Sequence, residues 1–395
     1  MEAIPKKIVF IADGRSDHAR RWIGYFSGKI EVILISTYQC KPLHGVKTII
    51  LPGRFRICEQ LIAPDLSNDR SHPLVAKLLI LLLRNRLINK IWNLAKLIDL
   101  FKQTRSIKKY LKLFNPDIVH ALRIQNEGYL AAFGKKTDFI VSSWGSDFID
   151  TAENNLLHRI LTRITLQKTD YFFSDCKRDL SLSKKYGLSS NANQWIIPGN
   201  GGVDIDIFFS KRKLCRTYSI LYCRGLSRIT RIETLLDGYK HLRYNLDQDV
   251  KLTIMSPIAT HSKWREVLKE KGLLTKSITL LDFVDPPALA NIMQNHTVFV
   301  SPMTYDGIPN SMLEAMSCGM IPVMSDLSSI REHITNGVNG FVFDVNSSKE
   351  LYKAFHKAFL SIDSDFRLSN QENIRKHYEY NICMKKVIEI YQENF

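Results

Sequence analysis

"TVFVSPMTYDGIPNSMLEAMSCGMIPVMS", residues 297–325, contains a strand, a turn, a helix and a second strand. Val298, Phe299 and Val300 make a short apolar run closed by Ser301-Pro302, and Ile321 to Met324 make another. Runs this short and this uniformly apolar suit strands covered on both faces of a parallel sheet. Between them, Ser311 to Gly319 has the small and apolar residues of a packed helix, which Asn310 or Ser311 can cap and which Gly319 and Pro322 end. Parallel strands need such a crossover, so the stretch is a β-α-β unit.

The same alternation extends outward in both directions. Towards the amino terminus, "KIVFIAD" precedes a helix that Ser16 can cap, with Ala19, Trp22, Ile23 and Phe26 on one face, and then comes "EVILIST". "DIVHA", "FIVSSWG", "DYFFSD" and "QWIIPG" follow as strands with helices between them. A second series runs from "SILYCRG" through "KLTIMSP", "ITLLDFV", "TVFVSP" and "IPVMS" to "GFVFDV". The chain is therefore α/β, with two doubly wound, Rossmann-like domains facing across a cleft. The Gly-rich and basic stretch at 199–216 marks the break. The expected division is 1–205, 206–378, and a last helix, 379–395, packing back towards the first domain.

Length and composition agree. At 395 residues the chain exceeds what one core usually fills, and 45% apolar with 24% charged residues is an ordinary globular balance. The seven cysteines are scattered without a Cys-x-x-Cys pair, which argues against a disulfide framework or a zinc site and fits a reducing cytoplasm. The apolar run after Lys6-Lys7 is too short for a signal-peptide core, so no targeting segment is expected.

Net charge is +16, and much of the excess falls between Arg70 and Lys112, where eleven Lys or Arg face one acid, Asp99. Apolar residues recur there at helical spacing, and the longest uncharged run, Leu78 to Leu83, is far below the roughly 20 residues that span a bilayer. Two readings stand: helices on a domain core with a solvated basic face, or a peripheral contact with an anionic membrane on the inner face of the plasma membrane. No nucleic-acid partner is expected, because no helix-turn-helix, RNP motif or zinc finger accompanies the charge.

In open parallel sheets the chemistry lies in loops at the carboxyl ends of strands. Main-chain N–H groups around residues 307–312, at a helix amino terminus, favour a phosphate. Glu314, one turn in, is itself an anion and suits the paired hydroxyls of a ribose instead. Arg224, Arg228 and Arg231 follow the strand "SILYC", and a guanidinium can fork onto phosphate oxygens. In the first domain His18, His120 and Asp147 are placed to orient an acceptor hydroxyl or the transferring sugar. Each of these residues also has a plainer reading as a cap, a solvated charge or a core histidine. Asp204-Ile205-Asp206 resembles an Asp-x-Asp metal motif, but the spacing recurs at Asp247/Asp249 and Asp363/Asp365, so no metal is expected.

"SPMTYDGIPNSMLEAMSCGMIPV" with "SIREHITNGVNGFVF" resembles the signature of retaining glycosyltransferases of family 4, the Glu-x7-Glu group of the GT-B fold. "IADGRSDHARRW", "PDIVHA", "SSWGSDF", "DYFFSD" and "IIPGNGGVDIDIF" extend the resemblance over nearly the whole chain. It implies a first domain that binds the acceptor and a second that binds a nucleoside diphosphate sugar. It further implies donor contacts from Gly14, Arg224, Arg231, Gly307, Ile308, Pro309, Asn310, Ser311 and Glu314. Asp306, Glu314, His120 and Asp147 become the catalytic candidates, with His18, His120 and Asp147 on the acceptor. The sequence departs from the family where Asp306 replaces the first glutamate and where Thr230-Arg231 replaces Lys-Gly.

The resulting expectation is a metal-independent, retaining hexosyltransferase acting on a saccharide or lipid-linked saccharide, such as a lipopolysaccharide or surface-polysaccharide intermediate. Two rivals remain: a catalytically weak or inactive partner subunit that keeps the nucleotide pocket, and a peripheral membrane scaffold.

Overall fold

The computed structural model describes residues 6–51, 53, 86–134, 137–209, 214–246 and 248–395. The chain forms two compact units. One comprises Met1–Ser174, Asp179–Asn200 and Lys386–Phe395, and the other Asp175–Arg178 and Gly201–Lys385. The division thus falls at residue 200, five residues before the expected boundary. The helix Tyr380–Asn394 gives its first six residues to the second unit and the rest to the first.

Unit one is a parallel sheet of β1 (Lys7–Ala12), β2 (Glu31–Ser36), β3 (Lys47–Ile50), β4 (Ile118–Leu122), β5 (Asp138–Ser142), β6 (Tyr171–Ser174) and β7 (Asn193–Ile196). The spatial order is β3-β2-β1-β4-β5-β6-β7. β1 and β4 lie side by side at the centre, Phe10 against His120, and both are buried almost end to end. That double-sided burial is why these strands read as continuous apolar runs. β3 was not anticipated: it is a four-residue edge strand, half-buried, and its Lys-Thr-Ile-Ile carries little pattern.

Ser16 caps the helix Asp17–Gly24 as expected, its hydroxyl accepting from the Ala19 N–H at 3.4 Å. The helix Arg86–Phe114 runs down one face of the sheet and enters β4 through Asn115, with Leu100, Ile107, Leu111 and Phe114 in the core. The part of the basic segment before Arg86, from Arg70 onward, lies outside the described residues. The chain's last residues complete this unit: Tyr391 stacks on Phe26 at 5.5 Å, and Phe395 meets Tyr171 at 4.6 Å.

Unit two is a parallel sheet of β8 (Ser219–Tyr222), β9 (Lys251–Met255), β10 (Ile278–Leu281), β11 (Val298–Ser301), β12 (Ile321–Ser325) and β13 (Phe341–Phe343), ordered β10-β9-β8-β11-β12-β13. In each sheet the strand order reverses once, between β1 and β4 and between β8 and β11. Loops diverge at those points and leave a crevice at the carboxyl edge.

The opening stretch is β11, helix Asn310–Ser317 and β12. Gly319 ends the helix at φ +81°, with the Met320 N–H donating to the Ala315 carbonyl and the Gly319 N–H to that of Met316. This six-to-one and five-to-two pair is a Schellman closure, which needs the left-handed residue that glycine supplies. The start differs from expectation. Pro309, not Asn310 or Ser311, is the cap, and it makes no side-chain cap hydrogen bond. Proline already holds the backbone in the extended conformation of a cap, so it can start the helix without one.

Candidate functional site

The switch point of the second sheet gathers most of the candidate donor residues. Arg224 leaves β8 and Asp306 lies in the loop after β11, and the Arg224 Nη2 is 2.5 Å from the Asp306 Oδ2. The other carboxylate oxygen, Oδ1, accepts from the Gly307 N–H at 2.9 Å. Its carbonyl accepts from Arg178 Nη1 at 2.5 Å and from the Ser329 hydroxyl at 2.7 Å. Asp306 is thus fixed on both its side chain and its backbone. The two loops are also stitched together: Arg231 N–H donates to the Pro302 carbonyl at 2.9 Å and Thr304 N–H to that of Ile229 at 2.8 Å.

Gly307 has a steric reason to be glycine. A Cβ there would stand 2.1 Å from the Asp175 Oδ2, inside any permitted contact. Ile308 and Pro309 carry the chain to the helix, with Ile308 buried in the apolar layer beneath. Asn310 and Ser311 occupy its first two positions, where backbone N–H groups have no intrahelical acceptor. The Ser311 hydroxyl is buried with no hydrogen-bond partner among the described residues.

Glu314 is half-buried one turn further on. Burial pushes the Cys223 thiol up to about 12, the Arg224 charge opposes that rise, and the Glu314 carboxylate adds a smaller upward push. Glu314 is therefore within electrostatic reach of the end of β8, beside Arg224. Arg231 differs from expectation: its backbone joins the loop pairing, while its side chain is exposed. Asp204, the first residue of the Asp-x-Asp pattern, caps a short helix by accepting from the Asp206 N–H.

In the first unit Gly14 turns the chain out of β1. Its N–H donates to Ser36 Oγ at 3.0 Å, and a Cβ would lie 2.5 Å from Cys40 Sγ and 2.6 Å from Ser36 Oγ. His18 is exposed and meets Trp144, in the loop after β5, edge-on at 6.0 Å.

Two expectations are corrected here. His120 does not point out of its strand end. It is fully buried, with Nδ1 2.6 Å from Tyr391 Oη and Nε2 2.8 Å from Ser142 Oγ, among the rings of Phe10, Trp22 and Phe173. Burial drives its pKa down to about 3, so the ring is neutral at physiological pH. Asp147 likewise does not face outward. It is fully buried and accepts from Arg123 Nε at 3.0 Å and from the N–H groups of Ile124 and Trp144 at 3.1 and 3.3 Å. Burial raises its pKa, and the Arg123 charge opposes that rise.

Asp147 therefore ties the loop after β4 to the loop after β5. Arg123 is the residue the sequence reading missed. It holds φ at +145°, donates to the buried carboxylate of Asp147, feels the charge of the buried Glu127, and stands at the switch point. A lone arginine after a strand gives no sequence signal, and Glu127 reads as an ordinary first-turn acid.

Residues 205–377 match the family model described as Glycosyl transferases group 1, and residues 85–176 match Glycosyl transferase 4-like. A curated relative, the N,N'-diacetylbacillosaminyl-diphospho-undecaprenol alpha-1,3-N-acetylgalactosaminyltransferase of Campylobacter jejuni, is 29% identical over 106 residues, 26% of this chain and 28% of the relative. The match thus spans under a third of that relative's length. Among solved structures, sucrose-phosphate synthase from Thermosynechococcus elongatus superposes with a TM-score of 0.74 at 13% identity, covering 98% of each chain. Anabaena HepE in complex with UDP-glucose does so at 0.70 and 12%, covering 98% of this chain and 99% of that one. Likeness at such identity is one of fold.

Proposed function

We propose, for a chain that belongs to the family 4-type glycosyltransferases of the GT-B fold, that it moves a sugar from a nucleoside diphosphate sugar to an acceptor hydroxyl with retention at the anomeric carbon. The observation that carries this reading is the convergence, at one switch point, of Arg224, the Asp306 loop, the leading N–H groups of helix Asn310–Ser317 and Glu314.

Each group has a chemical task there. Arg224 and the helix amino terminus neutralise the departing diphosphate. Glu314 accepts the ribose hydroxyls. Backbone at Gly307 to Ser311 lines the sugar and phosphates, and the buried Ser311 hydroxyl gains a partner. The bond from the anomeric carbon to the diphosphate oxygen breaks as the bond to the acceptor oxygen forms on the same face. The acceptor proton passes to a leaving phosphate oxygen. Fixed positive charge aimed at the leaving group lowers the barrier by electrostatic preorganisation and needs no metal.

The acceptor falls to the first unit, where Gly14, His18 and Trp144 surround the carboxyl edge. Asp147 acts on it only through the loops it ties together, and His120 only through the strand end and the last helix that it joins. A lipid-linked saccharide is the acceptor class, supported by the diphospho-undecaprenol named for the Campylobacter relative.

A second reading, a nucleotide-sugar-binding partner with little turnover, is favoured by one observation: Asp306 holds the arginine that the diphosphate needs. The deciding experiment is thermal shift against UDP-, GDP- and ADP-sugars, followed by transfer assays with the sugar that binds. Binding with turnover supports the enzyme, binding without turnover the partner, and no binding defeats both.

A further inference from the structure

The solvent face of the helix Arg86–Phe114 is divided along its length. Ile91, Leu94, Ile98 and Phe101 recur at three- and four-residue steps and are 60, 53, 50 and 42% exposed. At 100° per residue, the same face continues as Lys102, Arg105, Lys108, Lys109 and Lys112, all exposed. Core contacts occupy the opposite side, through Leu100, Ile107, Leu111 and Phe114. An ordinary amphipathic helix is apolar on one side and charged on the other. Here one exposed side is apolar at one end and, Leu113 apart, cationic at the other.

The position of the divide is fixed by the sheet. The helix leads into β4 and so runs antiparallel to it, with Phe114 at the amino edge. Gly53, just past the carboxyl end of β3, abuts Asp99 and Gln103, so the helix crosses the carboxyl edge at about this level. Ile91, Leu94 and Ile98 therefore project beyond that edge, where the Arg123–Asp147 loops also lie. The helix Leu156–Gln167 starts from the same edge, after β5, and exposes Leu156 at 69% and Ile160 at 47%.

We propose that this face is the docking surface for an anionic lipid bilayer, with the apolar end inserted at the acyl boundary and the cationic end on anionic headgroups. Charge complementarity selects a bilayer over a second copy of this chain: the net charge of +16 and the lysines beside the stripe repel a like surface. No described helix is long and apolar enough to cross a membrane, so the contact is peripheral. The proposal deepens the functional reading and rests on it in one respect, since docking at the carboxyl edge brings a lipid-linked acceptor to the switch-point crevice of the first unit.

The test is sedimentation of the full chain with vesicles of phosphatidylcholine alone or with phosphatidylglycerol, in low and high salt, beside donor binding by thermal shift. Wild type is expected to bind the anionic vesicles. The double variant Leu94→Asn, Ile98→Asn should weaken that binding about tenfold or more, because the apolar insertion is lost. The variant Lys102→Glu, Lys108→Glu, Lys112→Glu, at exposed positions that folding does not use, should abolish it, with donor binding unchanged in both. Anionic binding that survives either variant, or wild type that fails to bind, overturns the proposal. Failure to bind any sugar nucleotide would instead defeat the functional reading and leave the docking result standing.

Discussion

The Arg224 guanidinium and the Asp306 carboxylate meet at 2.5 Å across the switch point of the second sheet, joining the loop after β8 to the loop after β11. Arginine is the cation assigned to the diphosphate, so the carboxylate and the donor compete for it. The pair is partly buried, 25 and 18% exposed at the side chains, and is screened less than a surface pair. Asp306→Asn should therefore tighten binding of the free nucleoside diphosphate several-fold while slowing transfer. Asp306→Glu, which restores the family residue, should keep or raise turnover. Isothermal titration beside a transfer assay checks both; weaker nucleotide binding in the Asn variant would mean that the pair holds the loop in place.

Glu314→Gln should weaken donor binding and lower transfer by about tenfold or more, since a hydrogen bond to a charged group is worth ~1.5–3 kcal/mol. A 2′,3′-dideoxy nucleotide should bind wild type and variant alike. If the variant loses as much affinity for the dideoxy compound as for the parent, Glu314 does not read the ribose.

Gly307→Ala places a methyl group 2.1 Å from Asp175 Oδ2, so the loop must move. Loss of most transfer activity is expected with a lowered melting temperature. Asp175→Gly in the same chain should recover part of both by removing the obstructing carboxylate. A fully active Gly307→Ala would show that the loop has more freedom than this contact permits.

The fold was legible because buried parallel strands and the helices between them leave opposite signatures. β11, helix Asn310–Ser317 and β12 could be read from a single stretch, down to the glycine that closes the helix. β3 escaped because an edge strand of four residues is half-exposed and needs no apolar run. In the second unit, the strand-end rule put Arg224, Asp306 and Glu314 in loops or helix starts at the carboxyl edge and the family resemblance gave them one donor, since motif residues on adjacent loops keep their order. In the first unit the same logic misplaced His120 and Asp147. A residue at the end of a strand can turn inward as easily as outward. Nothing local announces that Tyr391, from the far end of the chain, closes over His120, or that Arg123 waits beside Asp147.

Transfer should survive chelation. The positive charge at the leaving group is assigned to Arg224 and a helix amino terminus, so EDTA should leave the rate unchanged. Loss in EDTA with recovery on adding Mg²⁺ or Mn²⁺ would contradict that assignment.

His120 predicts an acid sensitivity of the first unit. Its folded pKa of about 3 lies below the ordinary 6.5, because burial among rings disfavours the imidazolium. Between those values the unfolded chain takes up a proton that the folded chain refuses. The stability contributed by neutral His120 is therefore complete above the unfolded value and drains away as the pH falls towards the folded one. The slope approaches ~1.4 kcal/mol per pH unit for one proton. His120→Gln cannot titrate there, so its urea midpoint, though lower at neutral pH for loss of the Tyr391 and Ser142 bonds, should fall less steeply between about pH 6.5 and pH 4. The two curves should converge on acidification. Equal slopes in wild type and variant would mean that the histidine is protonated in the folded protein, and that its contacts with Tyr391 and Ser142 open before the unit unfolds.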